Sequence, residues 1–193
     1  MDQSGSTGGQ GAPTGPTSGW SAPPPPPVQP GPKGFVYADV PNRAIAYIID
    51  AIILFLVTVV IFVIIAGILG LGFVVSLVYL VISLAISGGY FIYTWTRMRA
   101  TVGMKVLGMQ IGDAGTGATL TQDQAIKRWL VLAGPAAIAQ ALSSIAVIGS
   151  LLGLAAFGWF IYLVYTTYQS PTKQGWHDVY AHTMVVKATN TVG

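Results

Sequence analysis

The sequence predicts an all-α polytopic membrane protein: four transmembrane helices arranged as two hairpins, with a small cytoplasmic β-hairpin and a disordered Pro/Gly-rich N-terminus. Three observations predict it. Hydrophobic residues make up 53% of the 193-residue chain and charged residues only 8%, against about 25% charged in soluble domains. The apolar residues gather into runs of about 20, the length that crosses a hydrocarbon core of about 30 Å. All nine Lys and Arg fall outside those runs, on one side of the topology they imply.

Residues 1–36 form a Gly/Pro/Ser/Thr-rich tail that cannot bury enough apolar surface to offset its ordering entropy, so it is expected to be disordered. It lacks the basic and apolar regions of a signal peptide, which makes the first span an expected uncleaved anchor. Pro23 to Pro27 should form a stiff polyproline II segment, read first as a solvated tether and alternatively as a ligand for an aromatic-grooved partner.

The first span is expected over residues 44–68, interrupted only by Asp50. Gly67, Gly70 and Gly72 then mark a turn into the second span, 73–95. A cytoplasmic loop, 96–128, leads to a third span at 129–148; Gly149-Ser150 turns the chain into a fourth at 151–168. The third is the weakest, because Gly134-Pro135, Gln140, Ser143 and Ser144 allow a kink or a re-entrant path. Within the loop, Lys105 to Ile111 and Ala118 to Thr121 are β-prone around a Gly-rich turn, which predicts a hairpin. Thr121 and Gln124 fit a T-x-x-Q capping box opening a helix into span three. Residues 182–188 are β-prone and could add a strand, leaving a short tail at 188–193.

Orientation follows from the cations. Lys33 and Arg43 precede span one, Arg97, Arg99, Lys105, Lys127 and Arg128 lie between spans two and three, and Lys173 and Lys187 follow span four. Both opposite loops are uncharged, which places both termini in the cytoplasm. Tyr90, Phe91, Tyr93 and Trp95, with Tyr162, Tyr165 and Tyr168, are read as interfacial anchors. The basic excess thus reports topology and lipid contact, and no nucleic-acid partner is expected.

The chain has no Cys and no Glu, and no Ser stands with a base in its own span, so enzymatic chemistry is not expected. GDAGTG lacks the G-K-[ST] of a phosphate loop. His177 and His182 are five apart without a third ligand, so neither a metal nor a cofactor is expected.

Arg43 and Asp50 are seven residues apart, which sets them on one helix face about 10 Å apart along the axis. An ionised carboxylate at the depth of Asp50 costs at least about 2.5 to 3.5 kcal/mol, so it must be paired, hydrated or protonated. As a structural group it would accept hydrogen bonds from Arg128 or Arg43; as a functional one it would exchange its proton for a metal cation. Asp178 and His177 are candidates either for docking the C-terminal segment or for proton entry. Gln140, Ser143 and Ser144 form a polar patch that packs helices or lines a pathway.

Four segments, NRAIAYIID, ATVGMKVLGMQI, TQDQAIKRW and QGWHDVYAHTMVV, stand in an order that resembles the RDD family of small bacterial integral membrane proteins. The resemblance covers residues of roughly 37–187 and identifies Arg43, Asp50 and Asp178 with the residues that give that family its name. The family's T-L-G-K motif appears as Thr101-Val102-Gly103-Met104-Lys105, with the Lys shifted by one, so a role for Lys105 as charge partner transfers less directly than the others. The resemblance implies the bacterial cytoplasmic membrane and, since sodium–proton exchange is proposed for some members, a cation/proton transporter using Asp50. The alternative is an accessory or scaffold subunit of a larger membrane complex. Four helices enclose little, so a homo-oligomer or a membrane-complex partner is expected alongside the lipid bilayer.

Overall fold

A computed structural model describes residues 34–143 and 146–188. Helix α1, Val40–Leu69, opens with Pro41 in its first turn, where the missing N–H costs nothing, and stops at Gly70, whose φ of 77° is open to glycine. Helix α2, Phe73–Tyr93, returns antiparallel: Phe62 meets Tyr79 with ring centroids 5.0 Å apart, and Tyr47 stacks on Phe91 at 6.5 Å. It continues through a π-helical turn, Thr94–Met98, and ends at Arg99 in the left-handed region with φ 55°.

A second antiparallel pair follows. Helix α4, Gln122–Ala141, starts at the expected capping box, in which Thr121 accepts from the Gln124 N–H while the Gln124 side chain accepts from the Thr121 N–H. Helix α5, Ala146–Gln169, runs back along it, and Trp159 Nε1 donates to the Val131 carbonyl at 2.9 Å.

Three helical segments are long and apolar enough to cross a membrane: Val40–Leu69, Phe73–Met98 and Val147–Gln169. The expected third span, 129–148, is not among them. Its helix begins at Gln122, so the polar residues Asp123, Lys127 and Arg128 belong to the same rod, and it runs unbroken through Pro135 to Ala141. Residues 129–141 alone offer about 20 Å of apolar helix at 1.5 Å per residue, short of the hydrocarbon thickness of about 30 Å.

The expected β-hairpin is also corrected. Thr101 accepts from the Met104 N–H and caps a short helix, α3 (Val102–Val106), which removes Lys105 from any strand. Strand β1, Met109–Asp113, pairs instead with the tail strand β2, Thr183–Lys187, antiparallel with Ile111 opposite Val185. Ala118 to Thr121 forms no strand; before it, Asp113 Oδ1 accepts from the Gly115 and Thr116 N–H groups and holds residues 114–116 in a turn. Tyr37 bridges to Val186 beside β2. One face of the sheet, Met109, Ile111 and Val185, packs into the core formed with Phe91, Trp95 and Met104, and the other covers Met184 and Val186 with Phe35 and Tyr37. Before the sheet closes on it, the chain forms one more short helix, α6 (Trp176–Tyr180). The expected disordered tail lies outside the described residues up to 33, as do residues 189–193 of the C-terminal tail.

Candidate functional site

Helix α6, just ahead of β2, carries Asp178 into the end of the bundle where α1 begins, α2 ends, α4 begins and α5 ends. Asp178 is fully buried and takes a salt bridge from Arg43 on one carboxylate oxygen and from Arg128 on the other. Its Oδ2 also accepts from the Gly175 N–H at 3.1 Å, and the Thr183 hydroxyl lies 3.2 Å from its Oδ1. Arg128 donates to that hydroxyl at 2.6 Å and lies 5.2 Å over the Trp95 ring, while Arg43 also reaches the Lys173 carbonyl. Burial alone would raise the Asp178 carboxyl, but the Arg128 and Arg43 guanidiniums outweigh it and hold the group well below the usual carboxylate range. Asp178 is therefore a fixed anion that ties three segments, far apart in sequence, into one end of the molecule.

His177 sits beside it, 7% exposed, with Nε2 3.4 Å from Asp178 Oδ2. Burial pushes it down to about 3, against an ordinary 6.5, with the two arginines adding to that effect and Asp178 opposing it. It is a neutral imidazole at physiological pH. His182, by contrast, is exposed.

Asp50, 2% exposed, is placed differently from either expected pairing: both arginines are engaged with Asp178. Its Oδ1 accepts from the Tyr90 hydroxyl at 2.6 Å and from the Gly103 N–H at 2.8 Å, and that Tyr90 oxygen in turn accepts from the Val102 N–H at 3.1 Å. Asp50 thus caps α3 and pins it against α1. The approach is so close that a Cβ on Gly103 would lie 2.1 Å from the Ala46 carbonyl oxygen.

Asp50, Arg43, Arg128 and His177 all line one cavity of about 90 Å³. A second, of about 450 Å³, lies between α1, α2 and α4, lined by Thr58, Tyr79, Ser83, Ser87 and Gln140 among apolar groups. Tyr47, Phe91 and Leu132 belong to both walls. Of the other sequence candidates, Gln140 faces the larger cavity, Ser143 bonds back to the Gln140 carbonyl at 2.7 Å, Ser144 lies outside the described residues, and Lys105 is exposed away from the charged cluster.

The family model for the RDD family matches residues 37–182. The chain belongs to the RDD family. No curated protein and no solved structure matches it. Arg43 forms an ion pair with Asp178, and Asp50 stands apart from that pair while lining the same cavity as Arg43. Sequence reasoning missed Tyr90, Gly103, Trp95 and Thr183. Tyr90, Phe91 and Trp95 were expected at the lipid interface, yet Phe91 and Trp95 are 8% and 2% exposed, and of that group Tyr93 alone is strongly exposed, at 61%.

Proposed function

We propose that this RDD protein is a carrier that exchanges protons for a monovalent cation across the bacterial cytoplasmic membrane, with the Asp50 carboxylate as the exchanging group. The contrast between the two buried carboxylates supports this reading most. Asp178 is held by two arginines, whereas the hydrogen bonds to Asp50 come from the neutral Tyr90 hydroxyl and Gly103 N–H. A carboxylate whose charge is not fixed by a cation is the one that can alternate between proton and metal ion. Asp50 also lines a cavity that adjoins the larger, mainly apolar space between α1, α2 and α4 with its Thr58, Ser83, Ser87 and Gln140, a route that Tyr47, Phe91 and Leu132 would gate.

In this reading α4 is a short fourth crossing, both termini lie in the cytoplasm, and the protein performs no covalent chemistry. The shortness of α4 also favours a second reading, an accessory subunit whose incomplete wall is covered by a partner or another copy, with the Pro-rich tail as a further contact. Cation-driven proton movement in proteoliposomes separates the two: the carrier moves protons and Asp50→Asn abolishes this, whereas an accessory subunit moves none.

A further inference from the structure

Three of the residues lining the smaller cavity carry a buried polar atom without a hydrogen-bond partner in the protein: Trp95 Nε1, Arg128 Nε and His177 Nδ1. The residues are 2%, 4% and 7% exposed. Orphaned buried donors are uncommon, because each gives up its hydrogen bonds to water without a replacement. Two of these atoms, the indole and guanidinium N–H groups, can only donate.

The pairing of charges within the cluster points the same way. Arg43 and Arg128 share a single carboxylate, Asp178, and Lys173 is also buried, with Nζ donating to the Tyr168 carbonyl at 3.1 Å. The second buried carboxylate, Asp50, spends its hydrogen bonds on Tyr90 and Gly103 rather than on an arginine. Two guanidiniums therefore converge on one carboxylate at this end of the bundle, where an incompletely compensated ion is expensive.

We infer that the cavity enclosed by α1, α3, α4, α5, α6 and the end of α2 is a binding site for one small monovalent inorganic anion of the halide class, held by Trp95 Nε1–H and Arg128 Nε–H. By the measure that a water needs roughly 10–15 Å³, a cavity of about 90 Å³ has room for a halide and accompanying water. Neutral His177, with Nε2 toward Asp178, presents Nδ1 as an acceptor suited to a water beside the ion. The anion is a resident counter-ion of the Arg43–Asp178–Arg128 cluster. Its test reads binding rather than flux through Asp50, so either proposal can fail alone.

The test uses full-length protein in detergent, titrated with bromide replacing gluconate at constant ionic strength, read by melting temperature and tryptophan fluorescence. Wild type should show a saturable rise in melting temperature. Trp95→Phe keeps a ring beneath the guanidinium but deletes the donor, and should raise the half-saturating bromide concentration about tenfold or more, the scale of one hydrogen bond to a charged group. No saturable response in wild type, or an unchanged half-saturation in Trp95→Phe, overturns the inference. Should Trp95→Phe not assemble, bromide-soaked wild-type crystals decide: anomalous density among Trp95, Arg128 and His177 supports the site, and its absence at saturating bromide overturns it.

Discussion

Two carboxylates buried to nearly the same extent do opposite things, and their neighbours explain why. Asp178 neutralises guanidiniums arriving from α1 and α4, so Asp178→Ala leaves two buried cations facing each other. Breaking a buried pair from one side costs roughly 3–5 kcal/mol; thermal unfolding in detergent should show a loss of that order or no monodisperse protein. His177 adds a pH dependence of definite sign. Its folded pKa, about 3, lies below the ordinary 6.5, so between these values the unfolded chain binds the extra proton and stability falls as pH is lowered. The slope should approach about 1.4 kcal/mol per pH unit. Asp178, also depressed, adds a further loss of the same sign below the usual carboxylate range. His177→Gln should flatten the pH 4 to 6 part of the unfolding profile; an unchanged slope would mean that His177 is not the titrating group. From sequence, Arg43, Arg128 and Asp178 were identifiable as a set of charges near one boundary, because isolated ions in an apolar chain must find one another. Which carboxylate took which arginine was not, because the choice depends on how the tail strand folds back, and spacing along one helix carries no information about that.

Among the elements, α3 shows how a five-residue helix positions a site. Thr101 caps it, Asp50 accepts from its Gly103 N–H, and Gly103 lies against the α1 backbone at Ala46. The Cβ of Gly103→Ala would meet main chain rather than a movable side chain. A penalty of at least about 1–3 kcal/mol is expected, seen as a lower melting temperature and faster proteolysis after Arg97 or Arg99; wild-type behaviour would show that α3 does not dock so closely. The first two apolar runs and the helix of the capping box were legible because their signals are local. The β pairing was not: Ala118 to Thr121 has strand propensity, but β1 takes as its partner β2, which arrives from about 70 residues further along. The bounds of the third apolar run differ for a related reason. Its apolar stretch is real, but the capping box makes it the second half of a helix whose first half is polar.

For the whole molecule, two antiparallel helix pairs are tied at one end by the ion cluster and sheet, and contain two adjoining cavities between them. Tyr47 is part of both walls, so in the carrier reading Tyr47→Ala should raise passive proton leak several-fold in liposomes, while Lys105→Gln, exposed and remote from the cluster, should leave it at the wild-type level. The most direct test of the account is proton movement in response to an imposed sodium or potassium gradient, followed with an internal pH dye in proteoliposomes of wild type and Asp50→Asn. Asn can still accept from Tyr90 and Gly103 through its side-chain oxygen, so the variant should fold, insert and match the wild type in melting behaviour. The account predicts cation-driven flux in the wild type and none in Asp50→Asn. Flux at the wild-type rate in Asp50→Asn, or none in a monodisperse wild type, would contradict it.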